Sequence, residues 1–207
     1  MLKELTEYRI KARGIIHVGA HEGQEYEGYI KDGIKNILLF EPVQANFDLL
    51  MDTVKDSYPG VRCFNMALGN KTGSVYMFIE KQNRGMSCSV LEPETHLDQY
   101  PWIVFDGKEK VKIDKLDNIE FDKSKFNILN VDVQGYELEV FKGAGKTLKS
   151  IDAIFTEVNM VEMYKGCALI TDIDILLSHF GFVRVTELPN DNWGEALYIK
   201  NIFLFDK

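Results

Sequence analysis

Phe126-Asn127-Ile128-Leu129-Asn130-Val131-Asp132-Val133-Gln134-Gly135-Tyr136-Glu137-Leu138-Glu139-Val140-Phe141-Lys142-Gly143-Ala144 contains the strongest strand in the chain and the helix that follows it. Residues 126–133 form a short apolar run, the pattern of a strand buried on both faces. Residues 136–142 read as a helix, and Gly143 stops it. A buried strand feeding directly into a helix is half of a βαβ unit, and such units build parallel sheets. Asp132 ends this strand, where a charge is costly unless it has partners or a chemical task.

The same alternation extends in both directions. Upstream, residues 14–20 form a short strand closed by small residues, and 22–31 read as a helix with acidic residues at its N-terminal end, where the dipole favours them. Residues 36–40 give a second strand ended by Glu41-Pro42, 43–55 a second helix and 61–67 a third strand. A turn cluster at 69–73 precedes 74–79, which suggests an added β-hairpin. Residues 81–101 read as a long loop, a place where function concentrates, and 111–113 as a short strand. Downstream come a strand at 153–158 and a helix at 171–180, with Thr171 and Asp174 spaced close to a capping box and Gly181 at its end. The last two strands, 182–187 and 196–205, have no room for a helix between them and should pair antiparallel. The expected fold is α/β: a doubly wound, mostly parallel seven-stranded sheet with a terminal antiparallel strand and a small β-hairpin insertion, all in one domain over 1–207.

The bulk properties narrow the function classes. The net charge is −8, with 45% hydrophobic and 27% charged residues; this disfavours a nucleic-acid partner, since such partners are gripped through a basic face. Cys63, Cys88 and Cys167 make an odd count without a C-x-x-C pair and read as reduced thiols. The N-terminal stretch is charged and lacks a signal-peptide core, and no apolar run reaches the roughly 18 residues of a membrane span. The expected location is the cytoplasm.

Two features at strand ends point to a nucleoside-type cofactor. His17-Val18-Gly19-Ala20-His21-Glu22-Gly23 places two glycines at a strand-to-helix turn. Glycine lets a ligand pass close to the backbone, and the following N–H groups suit an anion or carboxylate. The spacing is G-x-x-x-G rather than the G-x-G-x-x-G of dinucleotide enzymes, which disfavours a nucleotide-dependent oxidoreductase. Glu41 ends the next strand, where its paired oxygens suit both hydroxyls of a ribose.

The chain resembles the FkbM family of methyltransferases. The resemblance is carried by residues 16–24 (Ile16 to Gln24), Leu39-Phe40-Glu41-Pro42-Val43, Asn65-Met66-Ala67-Leu68-Gly69 and Ser87-Cys88-Ser89-Val90-Leu91. Leu116-Asp117, the block from Val131 to Ala144, Thr156-Glu157-Val158 and Phe180-Gly181-Phe182 continue it, in family order. It implies the class I methyltransferase fold, S-adenosylmethionine (SAM) as donor, and often a hydroxyl acceptor on a sugar or small natural product. It also implies an acid where this chain has His17; a neutral histidine, which donates one hydrogen bond and accepts another, is able to substitute.

The expected cofactor site comprises His17, Gly19, Ala20, His21, Glu22, Gly23, Glu41, Pro42, Ala67, Asp132 and Gln134. Asp132 is the first candidate for the base that takes the acceptor's proton and Glu157, ending the next strand, the second; His21 and His96 are weaker choices, with His96 read as an ordinary surface residue. Glu137 and Glu139 read as helix acids, Glu139 as an exposed one. Asp132, Glu157 and Asn159 also form a loose set of oxygen ligands for a divalent metal, an arrangement not favoured over a metal-free site. The expected acceptor is a sugar or glycan hydroxyl, with Tyr100 and Trp102 offering flat faces to a sugar ring. The alternatives are a small-molecule O- or N-methyltransferase of secondary metabolism and a non-catalytic SAM-fold binding module.

Overall fold

The computed structural model describes residues 3–188 and 191–204. In chain order the elements are β1 (Ile15–Val18), α1 (Tyr26–Lys31), β2 (Ile37–Phe40), α2 (Gln44–Thr53), β3 (Val61–Phe64), β4 (Ala67–Leu68) and β5 (Gly73–Glu80). Then come α3 (Thr95–Gln99), β6 (Phe105–Asp114), β7 (Ile128–Val131), α4 (Glu137–Lys142), β8 (Ala153–Asn159), α5 (Ile170–Ser178), β9 (Phe182–Arg184) and β10 (Trp193–Lys200).

A seven-stranded sheet runs β3-β2-β1-β7-β8-β10-β9. Every neighbouring pair is parallel except those of β10, which is antiparallel to both β8 and β9. This is the doubly wound sheet expected, with the one reversed strand set between β8 and β9. All residues of β1, β2 and β7 are buried, as parallel strands covered on both faces should be. Alternate residues serve opposite faces. Ile16, Val18, Leu38 and Leu129 pack with Val140 and Phe141 of α4 and with Ile173 and Leu177 of α5. Ile15, Ile37, Leu39 and Ile128 pack with Tyr29 of α1 and Leu50 of α2.

Several boundaries moved for local reasons. The first helix starts at Tyr26 rather than residue 22, because His21 and Gly23 take positive φ (48° and 84°) and use the intervening residues for a turn. The third strand breaks after Phe64: the Asn65 amide donates to the carbonyls of Glu41 and Pro42, and Ala67–Leu68 joins a second sheet of order β4-β6-β5. In α5 the capping contact comes from Asp172, whose carboxylate accepts from the Leu169 N–H at 3.0 Å. Asp174 instead holds the Arg184 guanidinium and the Tyr198 hydroxyl. β10 begins at Trp193, earlier than the predicted residue 196, and ends at Lys200; Phe205, the predicted end, lies outside the described residues.

The expected hairpin is real but larger: β5 pairs antiparallel with the ten-residue β6. The long loop is thus the segment between the two strands of that hairpin. It contains α3 and is fastened to the main sheet. The Ser89 hydroxyl donates to the Gln134 carbonyl at 2.7 Å, and the N–H groups of Glu94 and His96 both reach the Met163 carbonyl.

Candidate active site

The carboxyl ends of β1, β2, β7 and β8 open into a cavity of about 710 Å³, within the roughly 300–1,000 Å³ of small-molecule sites. The segment between β5 and β6 forms its roof, and the start of β10 closes one side.

The glycine turn crosses the end of β7 closely. Gly19 has φ +85°, and a Cβ there would stand 1.7 Å from the Asp132 carbonyl oxygen. The N–H groups of Gly19 and Ala20 both donate to the Phe40 carbonyl at 2.9 Å. Glu41 fastens the turn from the other side. Its Oε2 accepts from the His21 N–H at 3.0 Å and its Oε1 from the Val43 N–H at 2.8 Å. Burial pushes the Glu41 carboxyl up to about 7, against the pull of these N–H groups.

Of the predicted cofactor set, His17, Gly19, His21, Glu41, Pro42, Ala67, Asp132 and Gln134 line the cavity. Ala20, Glu22 and Gly23 do not, which narrows the expected contacts. Ala20 is fully buried behind the turn. Gly23 packs on α2, with Leu50 2.9 Å from where a Cβ would lie. Glu22 turns to the rim and pairs with Arg84.

His17 sits in the cavity wall, 3% exposed, with Nδ1 3.2 Å from the Tyr29 hydroxyl. That hydroxyl accepts from the Asn130 amide, so its single hydrogen is free to go to Nδ1. Burial lowers the imidazole to about 4. His17 is therefore neutral.

Asp132, Gln134 and Glu157 form one cluster at the cavity floor. The Gln134 amide Nε2 donates to Asp132 Oδ1 at 2.8 Å and to Glu157 Oε2 at 3.0 Å. Gln134 is held in turn by the Tyr164 hydroxyl, 2.9 Å from its Oε1. Asp132 lies at the centre of the sheet's carboxyl edge, with its side chain opening onto the enclosed cavity. Desolvation raises the carboxyl of Asp132, and desolvation together with the neighbouring Asp132 charge raises that of Glu157 well above the usual range. The Gln134 amide thus bridges Asp132 and Glu157, two of the three oxygen ligands expected for a divalent metal. Among the described residues no group of three or more His, Cys, Asp or Glu side chains is arranged as a metal site.

The turn carrying Gln134 is left-handed, with φ +53° at Gln134 and +93° at Gly135. Glu137 holds it. Its Oε1 accepts from the N–H groups of Val133 and Gly135, both at 3.1 Å, and the residue is fully buried. As a helix acid with surface habits it gave no sign of this role. His96 is likewise buried, packed against the rings of Tyr100, Phe105 and Tyr164, rather than the surface residue expected. Trp193 and Glu195 reach the cavity because β10 starts early; pairing register, invisible in one strand's sequence, puts them there.

A family model described as the methyltransferase FkbM domain matches residues 17–184. The chain belongs to the FkbM methyltransferase family. As an FkbM methyltransferase it is a SAM-dependent enzyme. It is similar to the 2-O-methyltransferase NoeI of Sinorhizobium fredii (strain NBRC 101917 / NGR234), with 29% identity over 88% of this chain and 77% of the relative. Its fold matches a ribosomal protein L11 methylase from Lactobacillus delbrueckii subsp. bulgaricus, with a TM-score of 0.55 at 8% identity over 96% of this chain and 76% of the other. A SAM-dependent methyltransferase from Clostridium acetobutylicum ATCC 824 gives 0.53 at 8% identity over 96% and 88%. The magnesium protoporphyrin IX methyltransferase of Synechocystis PCC 6803, solved with bound SAM, gives 0.51 at 6% identity over 90% and 69%. The residues present fit SAM: a turn at Gly19 with no room for a side chain, a buried carboxylate at the end of β2, and a cavity of suitable size.

Proposed function

We propose that this FkbM methyltransferase methylates a hydroxyl oxygen of a sugar or glycan, with Asp132 as the base and Glu157 as its partner. The observation that carries the reading is the floor cluster: a carboxylate facing the cavity, its Oδ1 oriented by Gln134 and its affinity for a proton raised by its surroundings. SAM supplies an electrophilic methyl group on a sulfonium sulfur. Gly19, His21, Glu41 and Pro42 would hold its nucleoside end, with Glu41 toward the ribose hydroxyls, and His17, Ala67 and Gln134 would complete the wall. Asp132 would accept the proton of the acceptor hydroxyl, whose oxygen would take the methyl group that SAM supplies. Positioning the oxygen in line with the methyl group supplies much of the acceleration, and a base adds roughly 10²–10⁴-fold.

The acceptor class is supported by three observations. The named relative transfers to an oxygen, by its description as a 2-O-methyltransferase. Tyr100, Trp102 and Trp193 line the cavity and offer flat faces to the C–H surfaces of sugar rings. A net charge of −8 opposes a polyanionic acceptor. No helix among the described residues is long and apolar enough to cross a membrane, and the free thiols of Cys63, Cys88 and Cys167 suit a reducing compartment, so we place the enzyme in the cytoplasm. Incubation with isotopically labelled SAM and a panel of sugars, oligosaccharides, phenols and amines tests the reading. Label in carbohydrate alone is the expected result; label only in phenols or amines overturns the acceptor class.

A further inference from the structure

The proton-accepting cluster accounts for the deep end of the cavity but leaves two buried polar side chains in its wall without a task. Asn159 ends β8 two residues beyond Glu157, so both side chains leave the same face of the strand. β10 sets Glu195 opposite Glu157 and Trp193 opposite Asn159. The sheet edge therefore carries two rungs. One is acidic and lies beside Asp132. The other, one step further along β8, faces an amide with an indole. Directly opposed residues on one face of an antiparallel pair are contact neighbours.

Asn159 is fully buried and lines the cavity, and neither Nδ2 nor Oδ1 has a hydrogen-bond partner among the described residues. His96 lines the same cavity, 4% exposed, and its Nδ1 also has no such partner. Buried polar atoms in native proteins are nearly always bonded, so each orphan calls for an unseen partner. The two orphans are joined through Tyr100. Its ring lies 5.1 Å from that of His96, and its hydroxyl accepts from the Trp193 indole N–H at 3.0 Å. That bond fixes the indole N–H edge at Tyr100, on the rung that pairs with Asn159.

We infer that Asn159 and His96 read a hydroxyl adjacent to the one that is methylated, so that the acceptor is a vicinal diol of a pyranose ring packed against Trp193. The inference rests on the carbohydrate reading above and sharpens it. A carboxamide presents a donor and an acceptor side by side, and a single ring hydroxyl, which both donates and accepts, is able to engage them. The apolar C–H face of the ring suits the indole. One hydroxyl then meets Asp132 and the next meets the Asn159 rung. Buried groups built to bond a hydroxyl reject an analogue that lacks it, because they are left unsatisfied.

The test uses the intact enzyme, labelled SAM, and methyl hexopyranosides and oligosaccharides as acceptors. The best acceptor is then compared with its monodeoxy analogues, each lacking one hydroxyl next to the methylated position. Loss of one particular neighbour should lower kcat/KM at least about 10-fold, the scale of one buried hydrogen bond. Asn159→Ala should lower kcat/KM on the intact acceptor by a similar factor and no longer distinguish it from that analogue. His96→Ala should do the same more weakly. Calorimetry should give wild-type SAM affinity for both variants, and Asn159→Ser serves if Asn159→Ala does not fold. Deoxy analogues methylated as well as the parent, or variants that keep wild-type selectivity, overturn the diol and leave the carbohydrate reading in place. Transfer to no carbohydrate overturns both.

Discussion

The backbone of Gly19 passes so close to Asp132 that a Cβ on the glycine would lie 1.7 Å from the aspartate carbonyl oxygen. The turn proposed to hold the cofactor and the floor proposed to accept the proton are thereby tied together, because the end of β1 cannot move away from the end of β7 without breaking the Asp132 N–H to Val18 carbonyl bond at 3.0 Å. Gly19→Ala combines this overlap with a φ of +85° and should abolish measurable SAM binding and lower the melting temperature. Gly28 is the control. A Cβ there meets nothing within 4 Å, and it lies within α1, so Gly28→Ala should stabilise by roughly 0.5–1 kcal/mol with SAM affinity unchanged. Thermal melts and titration calorimetry on the two variants check both statements.

Glu41 should bind the ribose hydroxyls as a carboxylate. Glu41→Ala is expected to weaken SAM binding by about 1.5–3 kcal/mol, the worth of hydrogen bonds to a charged group. Its carboxyl is raised to about 7, so SAM affinity should fall as pH drops through that value, and Glu41→Gln should flatten the dependence. Stability of the free protein runs the other way. A folded-state value above the ordinary carboxylate value means that folding takes up a proton between the two. Glu41 thus contributes stability below about pH 4.5 that is lost as pH rises to about 7. Calorimetry and melts across pH 5 to 8, on the order of one unit apart, separate the two effects.

Glu137 acts through the Gln134 turn. Glu137→Ala leaves the buried N–H groups of Val133 and Gly135 without their acceptor, at about 1–3 kcal/mol for each. Urea denaturation should register that loss, and turnover should fall with it because Gln134 no longer sits between Asp132 and Glu157. Glu137→Gln keeps an acceptor for both N–H groups and should restore most of the stability and turnover. Equal loss in both variants would instead mark the charge, not the hydrogen bonds, as what holds the turn.

The strand ends were legible in the sequence because a buried parallel strand must be continuously apolar and must stop at a small or polar residue. Glu41 and Asp132 follow from that constraint, whereas Glu157, expected at the end of its strand, lies inside β8, which runs on to Asn159. The contents of the walls were less legible. Ala20, Glu22 and Gly23 belong to the cofactor motif in sequence, but a turn with positive φ at His21 and Gly23 rotates them away from the cavity. Glu137 looks like an ordinary acid in a first helical turn, and only the left-handed turn before it makes its carboxylate fold back and become buried. His96 reads as a loop residue until the N–H groups of Glu94 and His96 tie its helix to Met163. Trp193 and Glu195 owe their place to the register of β10 against β8, a non-local relation that no local pattern encodes.

The central claim is that Asp132 takes the acceptor's proton, and Asp132→Asn tests it most directly. The two proteins are compared in single-acceptor assays with labelled SAM, together with calorimetric SAM binding. The account predicts SAM affinity within a few-fold of wild type and turnover lower by roughly 10²-fold or more, the low end for a general base. An Asp132→Asn enzyme that turns over at the wild-type rate would contradict it.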